Sequence, residues 1–548
     1  MTTPTMPSAR SATPRSVVPG SVVPRSVVPR PVSTEPRSGT FVLPAGLAIA
    51  TDQPGWAAVV RRLLSPGTGL ELPESADGAL RLTKDDSLAE EAYIVEVTED
   101  GIELTAATPQ GLNWATQTLR QLLPPSVLRP APSGDPLTLA CVRIIDEPRF
   151  GWRGVHLDVC RHFMPLADLF RYVDLAALHK YNVFHLHLTD DQGWRFASNR
   201  YPRLQERASW RSETQRHLQD FADGTPHGGF YTLDQLRALV RYAKDRGVTV
   251  MPELEFPGHV LALLAAYPEL GNHPETGYQP ATTFGVFPEV LNLSDEAMRV
   301  IFDLYEELLD IFDSPYIHVG GDECPRDEWV VSPAADELAA QRGLAGPEYL
   351  QRWLTEQLRD WLADRGRRLV GWDEINDEGP LPGAVAMAWR DAAYGVKAAE
   401  AGMDVVMAPL SHTYFDFYAS DDPNEAYAIG GLTTLEKAYA FEPLAGVPDE
   451  FQPRVLGTQC QLWREYIADT RRTDYMLYPR ACAHAEVAWS APDGRSYEEF
   501  LTRLGPHLDR LTALGVEYRP LAGPLPWQQG GTGALRRPIE HGGPATES

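Results

Sequence analysis

Cysteine is scarce in this 548-residue sequence: Cys141, Cys160, Cys324, Cys460 and Cys482 are five, odd in number and far apart. A disulfide framework is thereby excluded as the basis of the fold. No pair has zinc-ligand spacing, and at least one thiol must stay unpaired within the chain. Lysine is also rare. Of the 49 basic residues five are lysine, and all 49 are outweighed by 75 acidic ones, giving a net charge of −26. That balance repels nucleic acid and anionic membrane surfaces, so neither is expected as a partner. No apolar run reaches bilayer-spanning length. The start Met1-Thr2-Thr3-Pro4 has no apolar stretch behind a basic one and does not read as a secretory leader. A cytoplasmic location is the default expectation, with secretion by a non-standard route left open.

What is present is organisation. Hydrophobic residues make up 43% of the chain, ample for a large core, and the length implies more than one unit. Residues 1–39 are of low complexity: Ser16-Val17-Val18-Pro19 recurs from Ser21 and again from Ser26. Proline at every fifth position blocks helix and sheet interiors, which predicts a disordered tail. Residues 520–548, rich in proline and glycine, read as a C-terminal tail. Residues 40–146 predict a small α+β domain. There, Tyr93–Val97 and Ile102–Ala106 flank the turn signal Asp100-Gly101. A helix follows from Gly111 to Leu123, with Leu112, Ala115, Leu119 and Leu122 on one face, ended by Pro124-Pro125. Nothing in this unit suggests chemistry.

From 147 to 519 short apolar strands alternate with amphipathic helices. The strands expected are Gly154–Val159, Val183–Leu188, Val248–Leu254, Tyr316–Val319, Arg368–Trp372, Ala384–Trp389, Asp404–Ala408 and Val455–Trp463. Helices such as Leu166–His179, Leu233–Arg246, Asp295–Phe312 and Glu348–Arg365 fit between them. Such alternation predicts an α/β fold, a (β/α)8 TIM barrel preceded by the small α+β domain. In that architecture chemistry sits where strands end, and polar clusters fall there in at least six of the eight. The clearest is His318-Val319-Gly320-Gly321-Asp322-Glu323, two adjacent carboxylates after a Gly-Gly that lets a ligand approach the backbone. His185-Leu186-His187-Leu188-Thr189-Asp190-Asp191-Gln192-Gly193-Trp194-Arg195 has the same design. Other strand ends supply Arg161, Glu255, His259, Trp372, Asp373, Glu374, Trp389, Tyr414, Asp416, Trp463 and Glu465. Carboxylates and tryptophans converging on one mouth suit a sugar: indoles stack on the C–H face of a pyranose, and charged groups take its hydroxyls.

These motifs, in this order, resemble glycoside hydrolase family 20, the β-N-acetylhexosaminidases, over about residues 40 to 518. The resemblance is carried by Asp146–Gly154, Arg161-His162-Phe163, the His185–Arg195 run, Pro257-Gly258-His259, His318–Glu323, Gly371-Trp372-Asp373-Glu374, Tyr414-Phe415-Asp416 and Leu462-Trp463-Arg464-Glu465. It implies exo-acting, retaining removal of terminal GlcNAc or GalNAc from β-linked glycosides, without cofactor or metal. Glu323 would be the general acid and then the base. Asp322 would hold the substrate's acetamido N–H while the acetamido oxygen attacks the anomeric carbon, giving an oxazolinium-type intermediate. Tyr414 would donate to that oxygen. Trp372, Trp389 and Trp463 would form aromatic walls, and Arg161, Asp416 and Glu465 would bind hydroxyls. Asp191 and His259 would support the acid, although His259 in its Pro-Gly-His turn fits a purely structural role almost as well. An ionised Asp322 is expected to keep Glu323 protonated by like-charge repulsion.

The chain departs from the family at Glu255, where Asp is frequent, and Cys324-Pro325 and Cys460-Gln461 could reshape the leaving-group side. Trp329 reads equally as an aglycone-facing ring or as packing under a loop. Two rivals stand beside the hydrolase. A metal-dependent barrel hydrolase would use His185 and His187, which share a strand face but lie inside the second strand and not at its mouth. A catalytically impaired sugar-binding relic would have no need of Glu323, Asp322 and Tyr414 together.

Overall fold

The computed structural model describes residues 26–215 and 222–529. Eight parallel strands close into a barrel: Trp152–Asp158, Val183–His187, Thr249–Glu253, Tyr316–His318, Arg368–Trp372, Val385–Ala388, Asp404–Met407 and Val455–Cys460. Each overlaps the strand expected from its apolar run. Their two-sided burial explains why the runs are apolar throughout instead of alternating. Helices including Leu166–Leu178, Leu233–Lys244, Asp295–Leu309 and Leu350–Ala363 pack outside. Among the described residues no helix is long and apolar enough to cross a membrane.

Strand register places the chemistry. Asp158 pairs level with His187, His187 with Glu253, and Glu253 with His318, so four successive strands end in polar residues at one height. These groups form a layer inside the barrel. His187 Nδ1 lies 2.5 Å and His185 Nε2 3.0 Å from Glu253 Oε2, while His318 Nδ1 is 2.8 Å from Oε1. The indole N–H of Trp372 donates to the same carboxylate at 2.9 Å and roofs the layer. His185 and His187 therefore fill the barrel interior below the mouth, as their position within the second strand suggested.

The small domain is a six-stranded sheet, numbered β1 Ser33–Val42, β2 Ile49–Ala50, β3 Leu80–Lys84, β4 Tyr93–Thr98, β5 Gly101–Ala106 and β6 Thr138–Asp146, in the order β1-β6-β4-β5-β3-β2. The hairpin expected around Asp100-Gly101 is β4 and β5, paired antiparallel. Helix Pro109–Leu122 covers the sheet. Asp146 joins the two units: its buried carboxylate accepts from Lys180 Nζ at 2.8 Å and from the Trp489 indole at 2.9 Å.

One expectation needs correcting. Residues 26–39, assigned to the tail, are structured, and β1 begins at Ser33. The third Ser-Val-Val-Pro repeat is buried between the small domain and the last barrel helix, with Val28 fully enclosed. The Gln121 amide accepts from Val28 N at 3.0 Å and donates to Val28 O at 2.7 Å, standing in for a neighbouring strand. Arg510 holds Ser26 through its carbonyl and its hydroxyl. Low complexity did not prevent order because these partners lie far away in sequence. Residues 1–25 and 530–548 lie outside the described part of the chain.

Candidate active site

At the C-terminal mouth of the barrel lies a cavity of about 190 Å³. Pockets that enclose drug-sized ligands run from roughly 300 to 1,000 Å³, so this one suits a single sugar unit. It is lined by Arg161, Asp322, Glu323, Trp372, Trp389, Tyr414, Asp416, Trp463 and Glu465. Every residue proposed from sequence to touch substrate is thus brought to one place, from six different strand ends. Leu410, Phe417 and Ile429 complete the wall; they were missed because lone apolar loop residues carry no signal. Glu323 also borders a second cavity of about 610 Å³, shared with Cys324, Arg326, Tyr349 and Arg390.

The aromatic walls are fixed from behind. Trp372 and Trp463 have ring centroids 5.8 Å apart, and Trp389 stacks on Tyr414 at 6.2 Å and 25°. The Trp389 indole donates to Glu374 at 2.9 Å and its backbone N–H to Asp373 at 2.8 Å, which gives the Trp372-Asp373-Glu374 run its purpose. Burial pushes the Glu374 carboxyl up to about 8, with Asp322 and Asp373 adding to the effect. Two aromatics singled out from sequence lie elsewhere. Trp194 is buried and donates to Phe196 O at 2.5 Å. Trp329 is fully enclosed and donates to Leu291 O at 2.9 Å, so packing, not aglycone contact, is its place.

Arg161 is held in a fork of acids. Its guanidinium lies 2.9 Å from Asp190, 3.4 Å from Asp158 and 3.8 Å from Glu465, and its Nε donates to Gln192 at 2.9 Å. Asp190 was not assigned a role from sequence, yet it touches Arg161, His187 and His259. Its neighbour Asp191 drew the assignment, and only packing distinguishes the two. Although buried, Asp190 is held below the usual carboxylate range by Arg161 and His259. Burial lifts Glu465 to about 7 against the pull of Arg161.

Asp322 and Glu323 sit on a strained turn. Gly320 and Gly321 have φ of +67° and +98°, and Glu323 itself lies in the left-handed region at φ +45°. For a residue with a side chain that conformation persists only where the surroundings impose it. The Gln351 amide donates to Gly321 O at 2.8 Å, and Gly321 N donates to Glu255 Oε2 at 3.3 Å. His259 faces both acids: its Nε2 is 3.8 Å from Asp322 Oδ2 and 3.7 Å from Glu323 Oε2, while Nδ1 is 3.0 Å from Asp191. His259 thus lies between Asp191 and the two acids Asp322 and Glu323.

The electrostatics reverse one expectation. Burial raises Asp322 to about 6, helped by Glu323 and Glu253, whereas the charged His259 imidazole, 3.7 Å away, holds Glu323 below the ordinary glutamate range. Between the two acids the proton therefore favours Asp322. The cause is depth: Asp322 is the more buried of the two, and the Glu323 side chain is 44% exposed. Among the described residues four buried carboxylate oxygens find no hydrogen-bond partner: Glu255 Oε1 and Glu289 Oε2, which do not line the pocket, and Asp322 Oδ1 and Asp416 Oδ1. The last two belong to residues of the pocket wall.

Comparison with known proteins agrees. The description "Glycosyl hydrolase family 20, catalytic domain" matches residues 150–492, and "Glycosyl hydrolase family 20, domain 2" matches residues 25–147. A β-hexosaminidase of Porphyromonas gingivalis is 40% identical over 448 residues, covering 81% of this chain but 56% of that protein, so the chain spans about half its length. One from Akkermansia muciniphila is 34% identical, covering 84% of this chain and 92% of that protein. The structure of a Vibrio harveyi exo-β-N-acetylglucosaminidase in complex with N-acetylglucosamine superposes with a TM-score of 0.80 at 31% identity, covering 93% and 81% of the two chains. A Streptomyces plicatus β-hexosaminidase mutant in complex with its product GlcNAc also scores 0.80, at 29% identity, covering 92% and 99%. With two successive domain matches that together span nearly the whole described chain, it belongs to glycosyl hydrolase family 20 and is a glycoside hydrolase of the β-hexosaminidase type.

Proposed function

We propose that this pocket removes a terminal non-reducing GlcNAc or GalNAc from β-linked glycosides by substrate-assisted, retaining hydrolysis. The observation that carries this reading is the buried, unpartnered Oδ1 of Asp322 beside Glu323. A buried carboxylate oxygen without a donor is costly unless a ligand supplies one, and an acetamido N–H is such a donor. Both acids lie within 4 Å of the same His259 nitrogen. They cannot flank a sugar ring from opposite faces, as the two-carboxylate retaining scheme requires.

In the proposed sequence Glu323 gives its proton to the glycosidic oxygen. The bond from that oxygen to the anomeric carbon breaks while the acetamido oxygen forms a new bond to the same carbon. Asp322 accepts the acetamido N–H and balances the positive charge of the bicyclic intermediate. Tyr414, whose hydroxyl burial keeps protonated, donates to the acetamido oxygen. Ionised Glu323 then takes a proton from water as the water attacks the anomeric carbon and the bond from that carbon to the acetamido oxygen breaks, restoring the acetamido group, and two inversions leave the configuration retained. Substrate also redistributes the pair's proton. The N–H bond favours ionised Asp322, and a sugar covering Glu323 strips its water and raises its pKa. The leaving group exits into the wider cavity beside Glu323 and Cys324.

The test is the initial rate on an aryl N-acetyl-β-glucosaminide beside the plain aryl β-glucoside, with a thiazoline mimic of the intermediate as inhibitor. Turnover of the acetamido sugar alone, blocked by the thiazoline, is expected. Equal turnover of both sugars would mean an enzymatic nucleophile and would remove the role given to Asp322. Thiazoline binding without turnover would indicate a relic that only binds sugar.

A further inference from the structure

His187 takes no part in the proposed proton and bond steps, yet it lies where the supports of the pocket meet. It is buried and does not line the cavity. Both of its ring nitrogens face carboxylate oxygens: Nε2 lies 2.9 Å from Asp190 Oδ2, and Nδ1 bonds Glu253 Oε2. A neutral imidazole has one N–H, so only the imidazolium can donate to both acids. Burial alone would lower its pKa, but Glu253 and Asp190 raise it to about 10. His185, on the same face of the strand, is taken by burial down to about 4.

Each acid uses its remaining capacity to hold a wall of the pocket. Asp190 Oδ2 also takes the Arg161 guanidinium at 2.9 Å, and Glu253 Oε1 accepts the Trp372 indole N–H at 2.9 Å. Charges therefore alternate from Arg161 through Asp190, His187 and Glu253, and the series ends at the Trp372 N–H. The His187 ring also meets a third wall directly: it stands edge-on to Trp463, with centroids 4.9 Å apart at 79°. Removing a cation from the middle of such a buried series leaves two carboxylates short of a donor, which is strongly unfavourable. We propose that His187 is a positioning residue of the active site, coupling Arg161 to Trp372 so that the pocket keeps the width of one sugar. The inference rests on the hexosaminidase reading for the sugar that those walls hold.

The experiment is a double-mutant cycle between His187→Gln and Trp372→Phe, which keeps a ring in the wall and removes the N–H that reaches Glu253. The readouts are kcat/KM on the aryl N-acetyl-β-glucosaminide and thiazoline affinity, with Tm for the fold. In the wild-type background His187→Gln should lower both readouts roughly 10–100-fold, the scale of moving a substrate-holding group by about an ångström. In the Trp372→Phe background the same change should cost at least about fivefold less, because the coupling is already cut. A purely structural His187 would lower Tm and give equal losses in both backgrounds. Equal losses overturn the proposal, as does an undiminished kcat/KM in His187→Gln. Should His187→Gln not fold, Glu253→Gln opens the same link from its other side and is read in the same two backgrounds. Absent aryl-glycoside turnover in the wild type would instead defeat the hexosaminidase reading, so the two failures are told apart.

Discussion

Glu255 Oε2 occupies the space that a side chain on Gly320 would need. The turn that presents Asp322 and Glu323 is folded over this carboxylate, which also accepts from Gly321 N. Glu255 therefore acts beneath the catalytic turn, and burial together with the nearby Asp322 charge pushes it well above the usual glutamate range. The extra methylene relative to an aspartate is what lets it reach the turn.

Gly320→Ala should accordingly destabilise the protein. A Cβ costs about 1–2 kcal/mol at a left-handed residue and roughly 1–3 kcal/mol for overpacking against Glu255. Denaturant midpoints measure this, and adding Glu255→Asp should recover part of the loss. An unchanged midpoint in Gly320→Ala would show that the turn does not depend on this fit.

Glu323→Gln should slow hydrolysis of natural oligosaccharides by roughly 10²–10⁴-fold, the usual contribution of a general acid. Aryl glycosides, whose leaving groups need less protonation, should lose less. Thiazoline affinity should survive. Steady-state rates on both substrate types, with a binding isotherm, check this; an equal loss on both would assign Glu323 a role other than proton donor.

Asp322→Asn and Tyr414→Phe should each slow cleavage of N-acetylhexosaminides, by roughly 10²–10³-fold for loss of a group that stabilises developing charge. Asp322→Asn should also stabilise the fold. The aspartate's pKa is raised to about 6, so the stability it permits when neutral is lost as pH rises through that value. The gain in Tm from Asp322→Asn should thus be small below about pH 4, where the carboxyl is neutral in both states, and fully developed above about pH 6. A gain independent of pH would mean Asp322 is not the buried charge.

The wild-type kcat/KM should fall as pH rises through about 6, where the unliganded Asp322–Glu323 pair loses its shared proton. In His259→Gln, Asp322 and Glu323 both lose the nearby imidazolium charge that lowers them, so this limb should move to higher pH. A pH–rate profile of each form decides. An unmoved limb would make His259 a structural residue of its turn.

How much of this was legible beforehand differs by level. The barrel strands could be read because parallel strands buried on both faces must be apolar for their whole length, and the strand ends could be read because polarity returns abruptly at Arg161, Asp190, Asp322 and Tyr414. Chain order and residue type thereby determined the architecture and the cast of the pocket. Three things were decided by tertiary structure alone. Val27 and Val28 became core because Gln121, 93 residues from Val28, offers its amide as a strand edge. Trp329 and Trp194 turned inward while Trp389 lined the pocket, since a ring's direction depends on the neighbours that take its N–H. The order of the two catalytic pKa values came from depth and from His259. Asp322 and Glu323 are adjacent in sequence, but desolvation and the charge of His259 act through space, and only the fold sets both.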